Sequence, residues 1–114
     1  MLHRYGCLIF PNIDVGKGFS IAHPVGIVIG RCQIGNNFTI YQNASIGVKH
    51  PGDESKRLIP RIGDNVRLYA GSAILGNVSV TDNTIIGANS LVIHDVKESG
   101  VYVGNPVRKI AGNN

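Results

Sequence analysis

A six-residue spacing of aliphatic residues constrains the fold of this chain more than any other feature. The spaced positions begin with Ile9, Val15, Ile21 and Ile27, and after a slip of one residue they continue with Ile34, Ile40 and Ile46. After a gap of sixteen residues the period resumes at Ile62, Leu68, Ile74, Val80, Ile86 and Val92. Sixteen is six plus ten, so one ten-residue insertion interrupts a regular array. Neither the 3.6-residue period of a helix nor the alternation of a strand produces this spacing.

Several six-residue units share one order of residue types, in which an aliphatic residue precedes a small residue and two turn-forming residues. The clearest are Ile34-Gly-Asn-Asn-Phe-Thr, Ile62-Gly-Asp-Asn-Val-Arg and Ile86-Gly-Ala-Asn-Ser-Leu. Such a unit fits a short parallel strand followed by a corner, where Gly and Asn accept positive φ values. Three units form one triangular coil, and the inward aliphatic residues of successive coils stack. The array therefore predicts an all-β, single-stranded parallel β-helix of four to five coils.

The composition agrees with this fold and narrows the classes of partner. Hydrophobic residues make up 43% of the chain and argue against disorder. The net charge of +4 suits an anionic small molecule. The sequence lacks the dense basic stripe with interleaved aromatic residues that would predict a nucleic-acid partner. No apolar run approaches the roughly 20 residues of a membrane span. The two cysteines are too few for a disulfide scaffold, so we expect a cytoplasmic protein, with Cys32 as a small buried residue.

The insertion is expected to leave the solenoid as a loop over residues 47–58. It contains Pro, Gly and five charged residues, and loops of this kind are either binding elements or ordinary solvated surface. The predicted organisation is a short lead-in at residues 1–8, a β-helix domain at 9–96, and a closing strand with a basic tail at 97–114.

Two stretches of the chain resemble the serine acetyltransferase branch of the hexapeptide-repeat acyltransferases. The first is Ile21-Ala-His-Pro-Val-Gly-Ile-Val-Ile-Gly, and the second includes Ala70-Gly-Ser-Ala-Ile-Leu-Gly-Asn and Val103-Gly-Asn-Pro-Val-Arg-Lys-Ile. The resemblance implies a left-handed β-helix, although parallel crossovers are right-handed in about 98% of cases. It also implies a homotrimer that binds acetyl-CoA in clefts between adjacent subunits.

His23 matches the catalytic histidine of that family. The family's histidine removes a proton from an acceptor hydroxyl, which then attacks the thioester carbonyl. Imidazole suits this task because it ionises near pH 6.5 and is both neutral and basic in the cell. From the residues alone, His23 could equally be a corner histidine that makes ordinary hydrogen bonds. A backbone carbonyl or a loop carboxylate, from Asp53 or Glu54, is expected to set its tautomer.

His50 is the second catalytic candidate. It opens the segment His-Pro-Gly-Asp-Glu in the predicted loop. That segment resembles the His-Pro loop of the related sugar and galactoside acetyltransferases, so His50 is expected to shape the acceptor pocket.

Four further residues match positions that hold the acyl donor in the family. Ala70 and Ala88 match small residues whose backbone groups bind the pantetheine arm, where a bulky side chain would block the cleft. Arg108 and Lys109 are placed to meet the anionic nucleotide end of CoA. The alternative is that the alanines are plain corner residues and the two bases a solvated tail.

Three departures from the family concern the acceptor. Leu8 stands where the family has the carboxylate partner of the catalytic histidine, Ala22 replaces an aspartate, and Leu58-Ile59 replaces an Arg-His pair. A free amino acid needs a fixed cation for its carboxylate and an anion for its ammonium group. The sequence therefore favours a variant branch acting on another hydroxyl, such as a sugar in surface-polysaccharide synthesis, with L-serine as the alternative acceptor.

Two other classes compete with an acetyltransferase. A γ-type carbonic anhydrase uses the same solenoid, but zinc needs three convergent histidines. The four histidines, at positions 3, 23, 50 and 94, lack the close pair of that family, so we expect no metal. A non-catalytic scaffold or a degraded enzyme is the other class, and the lost acceptor residues favour it.

Overall fold

The computed structural model describes residues 2–4, 6–11 and 13–112, and over these ranges the chain folds into three parallel faces of one solenoid. Sheet A contains β1 (Leu2–Arg4), β2 (Cys7–Ile9), β5 (Ile27–Ile29), β8 (Ser45–Gly47), β11 (Ala73–Leu75) and β14 (Leu91–Val92). Sheet B contains β3 (Asp14–Val15), β6 (Gln33–Ile34), β9 (Arg61–Ile62) and β12 (Ser79–Val80). Sheet C contains β4 (Ser20–Ile21), β7 (Thr39–Ile40), β10 (Arg67–Leu68), β13 (Thr84–Ile86), β15 (Gly100–Gly104) and β16 (Val107–Ala111).

The chain visits the three sheets in the order A, B, C and then repeats the cycle. Within each sheet, strands of successive coils pair in parallel, for example β5 with β8 and β10 with β13. The predicted parallel β-helix of hexapeptide repeats is therefore confirmed, with about five coils. The described part of the chain contains no helix that could span a membrane.

Both ends of the solenoid depart from parallel pairing. β1 pairs antiparallel with β2, and β15 pairs antiparallel with β16. β1 covers the edge of sheet A at the first coil and β16 covers the edge of sheet C at the last, where unpaired backbone groups would otherwise be presented. The predicted lead-in and tail also include residues 1, 5, 113 and 114, which lie outside the described residues.

Columns of aliphatic side chains fill the interior. In sheet A the inward residues that stack in register are Ile9, Ile29, Ile46, Ile74 and Val92. In sheet C they are Ile21, Ile40, Leu68 and Ile86. Most of these side chains are fully buried, and each fully buried one contributes about 1.5–3 kcal/mol relative to exposure to water. The charge-poor composition follows from this arrangement, because the inward position of every six-residue unit must be apolar.

The register corrects the predicted phase of the repeat at one point. Ile29, and not Ile27, pairs with Ile46 in the next coil. Both isoleucines are fully buried, so the six-residue period alone selects the wrong one. From Ile21 to Ile29 the chain takes eight residues, where the corresponding step from Ile40 to Ile46 takes six. The corner between β4 and β5 therefore carries two extra residues.

The predicted insertion lies in the connection between β8 and β9, which comprises residues 48–60. The loop thus differs from the predicted 47–58, because Gly47 still pairs with Leu75 in sheet A. Ile34 pairs with Ile62, 28 positions on, whereas Ile62 pairs with Val80, 18 positions on. The loop is tied down by Asp53, which is only 9% exposed. Its carboxylate accepts the backbone N–H of His50 at 3.0 Å, and its carbonyl accepts the N–H of Leu58 at 3.0 Å.

Asparagines occupy the corners as predicted. Asn37, Asn65 and Asn83 lie in successive coils between sheets B and C and have φ values of 59°, 58° and 58°. Their side-chain amides form a ladder along the solenoid, because Asn37 donates to Asn65 at 3.1 Å and Asn65 donates to Asn83 at 3.2 Å. Asn suits this corner because its short side chain tolerates the left-handed region and can still bond to the neighbouring coil.

Replacing Asn65 separates the two contributions of this corner. Asn65→Gly keeps access to positive φ and loses the amide ladder, so the free energy of unfolding should fall by about 1 kcal/mol. Asn65→Ala loses the ladder and also strains the backbone, so it should cost about 1–2 kcal/mol more. Denaturant unfolding of the two variants measures the difference. An alanine variant as stable as the glycine variant would contradict the role assigned to positive φ.

Both cysteines are buried, free thiols. Burial, with a smaller contribution from the nearby carboxylate of Asp14, raises the pKa of Cys32 from 9.0 to about 12. The thiolate is the reactive form of cysteine, so Cys32 is inert in the folded protein. This agrees with the prediction that it serves as a small buried residue.

A thiol-specific disulfide reagent tests this burial. At pH 8 the folded protein should show almost no reaction, and the protein unfolded in guanidinium should react at both cysteines. Because the pKa of Cys32 is raised on folding, its contribution to stability is complete below pH 9 and falls as the pH rises towards about 12. Cys32→Ala should lack this alkaline loss. Rapid labelling of the native protein would contradict the assignment.

Candidate active site

One corner of the solenoid carries three of the six predicted site residues, His23, Ala70 and Ala88. We call it the C–A corner, because the chain there passes from sheet C to sheet A; it comprises residues 22–26, 41–44, 69–72 and 87–90. The paired strand ends of sheet C align these segments in successive coils. Backbone hydrogen bonds join them directly, since Gly71 donates to the carbonyl of Gln42 at 3.0 Å and Asn89 donates to that of Ala70 at 2.8 Å.

His23 lies on the first coil of this corner, in the segment with two extra residues. Its side chain is exposed, and its carbonyl accepts the N–H of Val25 at 2.8 Å, which closes a tight turn. The imidazole ring lies 6.3 Å from the ring of Tyr41, centroid to centroid, with an interplanar angle of 42°. The predicted base is therefore solvent-accessible and next to an aromatic wall.

Two tyrosines of this corner were not predicted from the sequence. Tyr41 and Tyr69 are half-buried and stack with their ring centroids 4.5 Å apart and their planes at 17°. The sequence does contain a pattern that could have identified them, because each tyrosine directly follows an inward aliphatic residue, Ile40 or Leu68. Those two residues pair across the ten-residue insertion, so the pattern becomes visible only after the insertion is subtracted.

Ala70 and Ala88 occupy equivalent places on the next two coils of the C–A corner. Ala70 is half-buried and Ala88 exposed, and both present only a methyl group. Gly87, which precedes Ala88, lies against the C-terminal hairpin, since a Cβ added there would come within 2.6 Å of the Val103 side chain. We call the strip of corner surface along Ala70 and Ala88 the track.

The C-terminal hairpin closes the far end of this track. Gly104 donates its N–H to the hydroxyl of Ser90 at 3.0 Å, and Arg108 pairs with Val103 in the hairpin. Arg108 is exposed and can meet an anion at that end. Lys109 lies 3.7 Å from the carboxylate of Glu98, and such an exposed ion pair is weak and leaves the ammonium group available.

His50 lies at a different corner from His23. Its loop leaves sheet A and returns to sheet B, and Lys49 passes close to Gly76 at the same corner. We call this the A–B corner. His50 is exposed, and sheet A separates it from His23 within one chain. Asp53 lies on the same loop and is bonded to the backbone of His50, so it does not orient His23 of its own chain.

The positions that depart from the family are apolar in the structure as well. Leu8 lies in β2 and pairs with Val28, which is 40% exposed, on the outer side of sheet A. Ile59 is 1% exposed and belongs to the buried interior. These two positions cannot supply the charged groups that the resemblance would place there. Among the described residues, no cluster of three or more His, Cys, Asp or Glu side chains could hold a metal ion.

Known proteins are similar to this chain in sequence. Residues 59–94 match the family described as bacterial transferase hexapeptide (six repeats). A serine acetyltransferase of Staphylococcus epidermidis (strain RP62A) is 45% identical over 102 residues, which are 89% of this chain and 47% of the relative. A serine acetyltransferase of Staphylococcus aureus (strain N315) is 43% identical over the same shares of the two chains. This chain spans about half the length of these relatives.

Solved structures of serine acetyltransferases are similar to this solenoid as well. The crystal structure of a Neisseria gonorrhoeae serine acetyltransferase superposes with a TM-score of 0.85 at 36% identity, covering 96% of this chain and 41% of that chain. The same enzyme in complex with serine gives 0.81 at 36% identity, with 90% and 42% covered. A serine acetyltransferase in complex with CoA gives 0.79 at 33% identity, with 91% and 41% covered.

The repeat, the fold and these matches make the chain similar to hexapeptide-repeat transferases. Among those transferases, it is similar to serine acetyltransferases in both sequence and structure. The left-handed coil implied by the resemblance is confirmed as well, because a solenoid of the opposite hand would not superpose on that family so closely.

Proposed function

We propose that this chain provides the acyl-transfer site of an acetyl-CoA-dependent O-acetyltransferase that acts on L-serine. The observation that carries the proposal is the arrangement of the C–A corner. There an exposed histidine, His23, shares one edge of the solenoid with the small residues Ala70 and Ala88. A base and a strip of small side chains, along which we propose that an extended ligand binds, thus share one corner.

The chemistry of this arrangement is direct transfer. Neutral His23 takes the proton of the acceptor hydroxyl while the oxygen attacks the thioester carbonyl carbon. The tetrahedral intermediate then expels the CoA thiolate as the C–S bond breaks. The imidazolium proton passes to that thiolate, so the products are the acetyl ester and free CoA, and His23 returns to its neutral form. Backbone N–H groups of the corner are suited to stabilise the transient negative oxygen.

The donor fits the same corner by shape and charge. The pantetheine arm of CoA is a narrow chain of amides and methylenes, and the methyl groups of Ala70 and Ala88 leave room for it. The exposed guanidinium of Arg108 lies at the far end of the track, where a phosphate of the nucleotide would meet it. The net charge of +4 favours this anionic donor.

The comparisons support L-serine as the acceptor and do not support the expected sugar. The relatives described above are serine acetyltransferases, and one of the solved structures contains serine. The sugar prediction rested on the apolar residues at Leu8, Ala22 and Leu58-Ile59. Those residues mean that other groups must hold the carboxylate and ammonium of serine.

We propose that a second copy of the chain supplies the groups of the active site that one chain cannot bring to His23. His23 and His50 lie at the two corners that flank sheet A, the C–A corner and the A–B corner, so one chain cannot join them in one site. In a cyclic assembly, one surface of each subunit meets a different surface of the next. We propose a homotrimer in which the C–A corner of one subunit faces the loop of its neighbour and brings His50 towards His23.

The two free thiols suit the reducing cytoplasm that we propose as its location.

Release of CoA thiol with a panel of hydroxyl acceptors tests the activity. L-serine should support turnover, and His23→Ala should lower kcat by about 10²- to 10⁴-fold, since it removes the general base. His94→Ala is the matched control, because this exposed histidine has no role in the proposed site, and it should behave as wild type. Turnover with sugars alone would overturn the serine acceptor. No turnover with any acceptor would favour the non-catalytic scaffold.

Mixed assemblies test the contribution of His50 across the interface. His50→Ala alone should reduce activity, and so should His23→Ala alone. When the two variants are unfolded and refolded together, some interfaces combine an intact His23 with an intact His50 from the neighbouring subunit. Activity should therefore rise above that of either variant alone. Activity that stays at the mean of the two would show that the histidines do not act together across subunits.

A further inference from the structure

Three rings form one column at the C–A corner: His23, Tyr41 and Tyr69. The chain has only four tyrosines and three phenylalanines, and no tryptophan. Two of these scarce aromatic residues lie on successive coils directly beside the predicted base. The donor track described above uses small residues, so it gives no reason for large rings at this place.

The solenoid itself sets the spacing of the two tyrosine rings. Ile40 and Leu68 pair in neighbouring strands, so the residues that follow them project side by side. Neighbouring strands lie about 4.8 Å apart, and the two rings stack at 4.5 Å. Tyr69 thus supports Tyr41 from the coil below and limits its movement.

The expanded corner brings His23 to the top of this column. Ile21 pairs with Ile40, and Ala22 donates its N–H to the carbonyl of Ile40 at 2.9 Å, just as Tyr41 donates to that of Leu68 at 3.0 Å. Ala22 therefore still follows the repeat. His23, the next residue, lies in the expanded part of the corner, with its ring 6.3 Å from that of Tyr41. The departure from the repeat and the ring contact are therefore parts of one local arrangement.

His23 also lacks the partners expected to orient it. Leu8 replaces the carboxylate implied by the family resemblance and lies on sheet A. The loop carboxylate of Asp53 is at the A–B corner and bonded to the backbone of His50. Among the described residues, no hydrogen bond to the imidazole of His23 is found. The ring of Tyr41 is the aromatic side chain that lies beside this imidazole.

We propose that Tyr41 is a positioning residue for His23, held in place by Tyr69; this inference rests on the proposed function. Aromatic pairs at this distance attract each other through offset or tilted contacts. When His23 takes the acceptor proton it becomes an imidazolium, and the electron-rich face of a tyrosine ring attracts a cation. The contact therefore orients the neutral base and is stronger in the protonated state formed during transfer.

Kinetics of ring-removing and ring-keeping variants test the proposal. Tyr41→Leu should lower kcat with L-serine about five- to tenfold, the size expected for an aromatic contact, and leave the KM for acetyl-CoA nearly unchanged. Tyr41→Phe should retain close to wild-type kcat, because the ring and not the hydroxyl makes the contact. Equal losses in Tyr41→Phe and Tyr41→Leu would overturn a role for the ring.

A matched control comes from the other stacked pair of the solenoid. Phe19 and Phe38 stack at 6.1 Å and 17° between sheets B and C, away from His23. Phe19→Leu removes a comparable ring contact, so it reports any loss of activity caused by stability alone. It should leave kcat unchanged, and a loss equal to that of Tyr41→Leu would overturn the proposal.

The NMR signals of the His23 ring provide a readout that needs no turnover. Tyr41→Leu should shift the imidazole C–H signals of His23, because the neighbouring ring current is lost, whereas Phe19→Leu should not. An active enzyme in which Tyr41→Leu changes neither these signals nor kcat overturns the positioning role alone. A wild-type protein that releases no CoA with any acceptor overturns the proposed function, and the positioning role with it.

Discussion

Register between coils is the constraint on which the rest of this structure depends. Each inward aliphatic residue must return to the same place one coil later, or the column that it belongs to loses its packing. Ile46 and Ile74 keep this register although ten extra residues lie between them. Strand pairing in register also aligns the corners, so residues that are far apart in sequence line one edge at the spacing of neighbouring strands. The predicted site is a set of such corner residues.

Two departures from regular repetition carry the candidate catalytic histidines. One is the corner with two extra residues that holds His23, and the other is the loop at 48–60 that holds His50. In each case the register is the same before and after the departure, so the interior is undisturbed. Regular coils supply rigidity, and local exceptions to the repeat are where function is expected. The two histidines lie apart within one chain because these departures fall at different corners.

The six-residue period was enough to predict the architecture, because only a solenoid coil satisfies it. It misplaced the phase at Ile27, since Ile29 is equally apolar and both are buried. The tyrosine pair could not be recognised without the register across the insertion. The separation of His23 and His50 likewise depends on which corner each occupies, and the resemblance alone does not give it. The comparisons do not support the predicted sugar acceptor. That prediction depended on apolar residues such as Leu8 and Ile59, which show which groups are absent from the site and not which groups replace them.

The central claim is that acyl transfer takes place along the C–A corner. A crystal structure of the assembled protein with bound CoA tests it most directly. The account predicts the pantetheine arm beside Ala70 and Ala88, the sulfur within about 4 Å of the His23 ring, and the nucleotide end near Arg108. A CoA sulfur bound far from both His23 and the loop of His50 would contradict the claim.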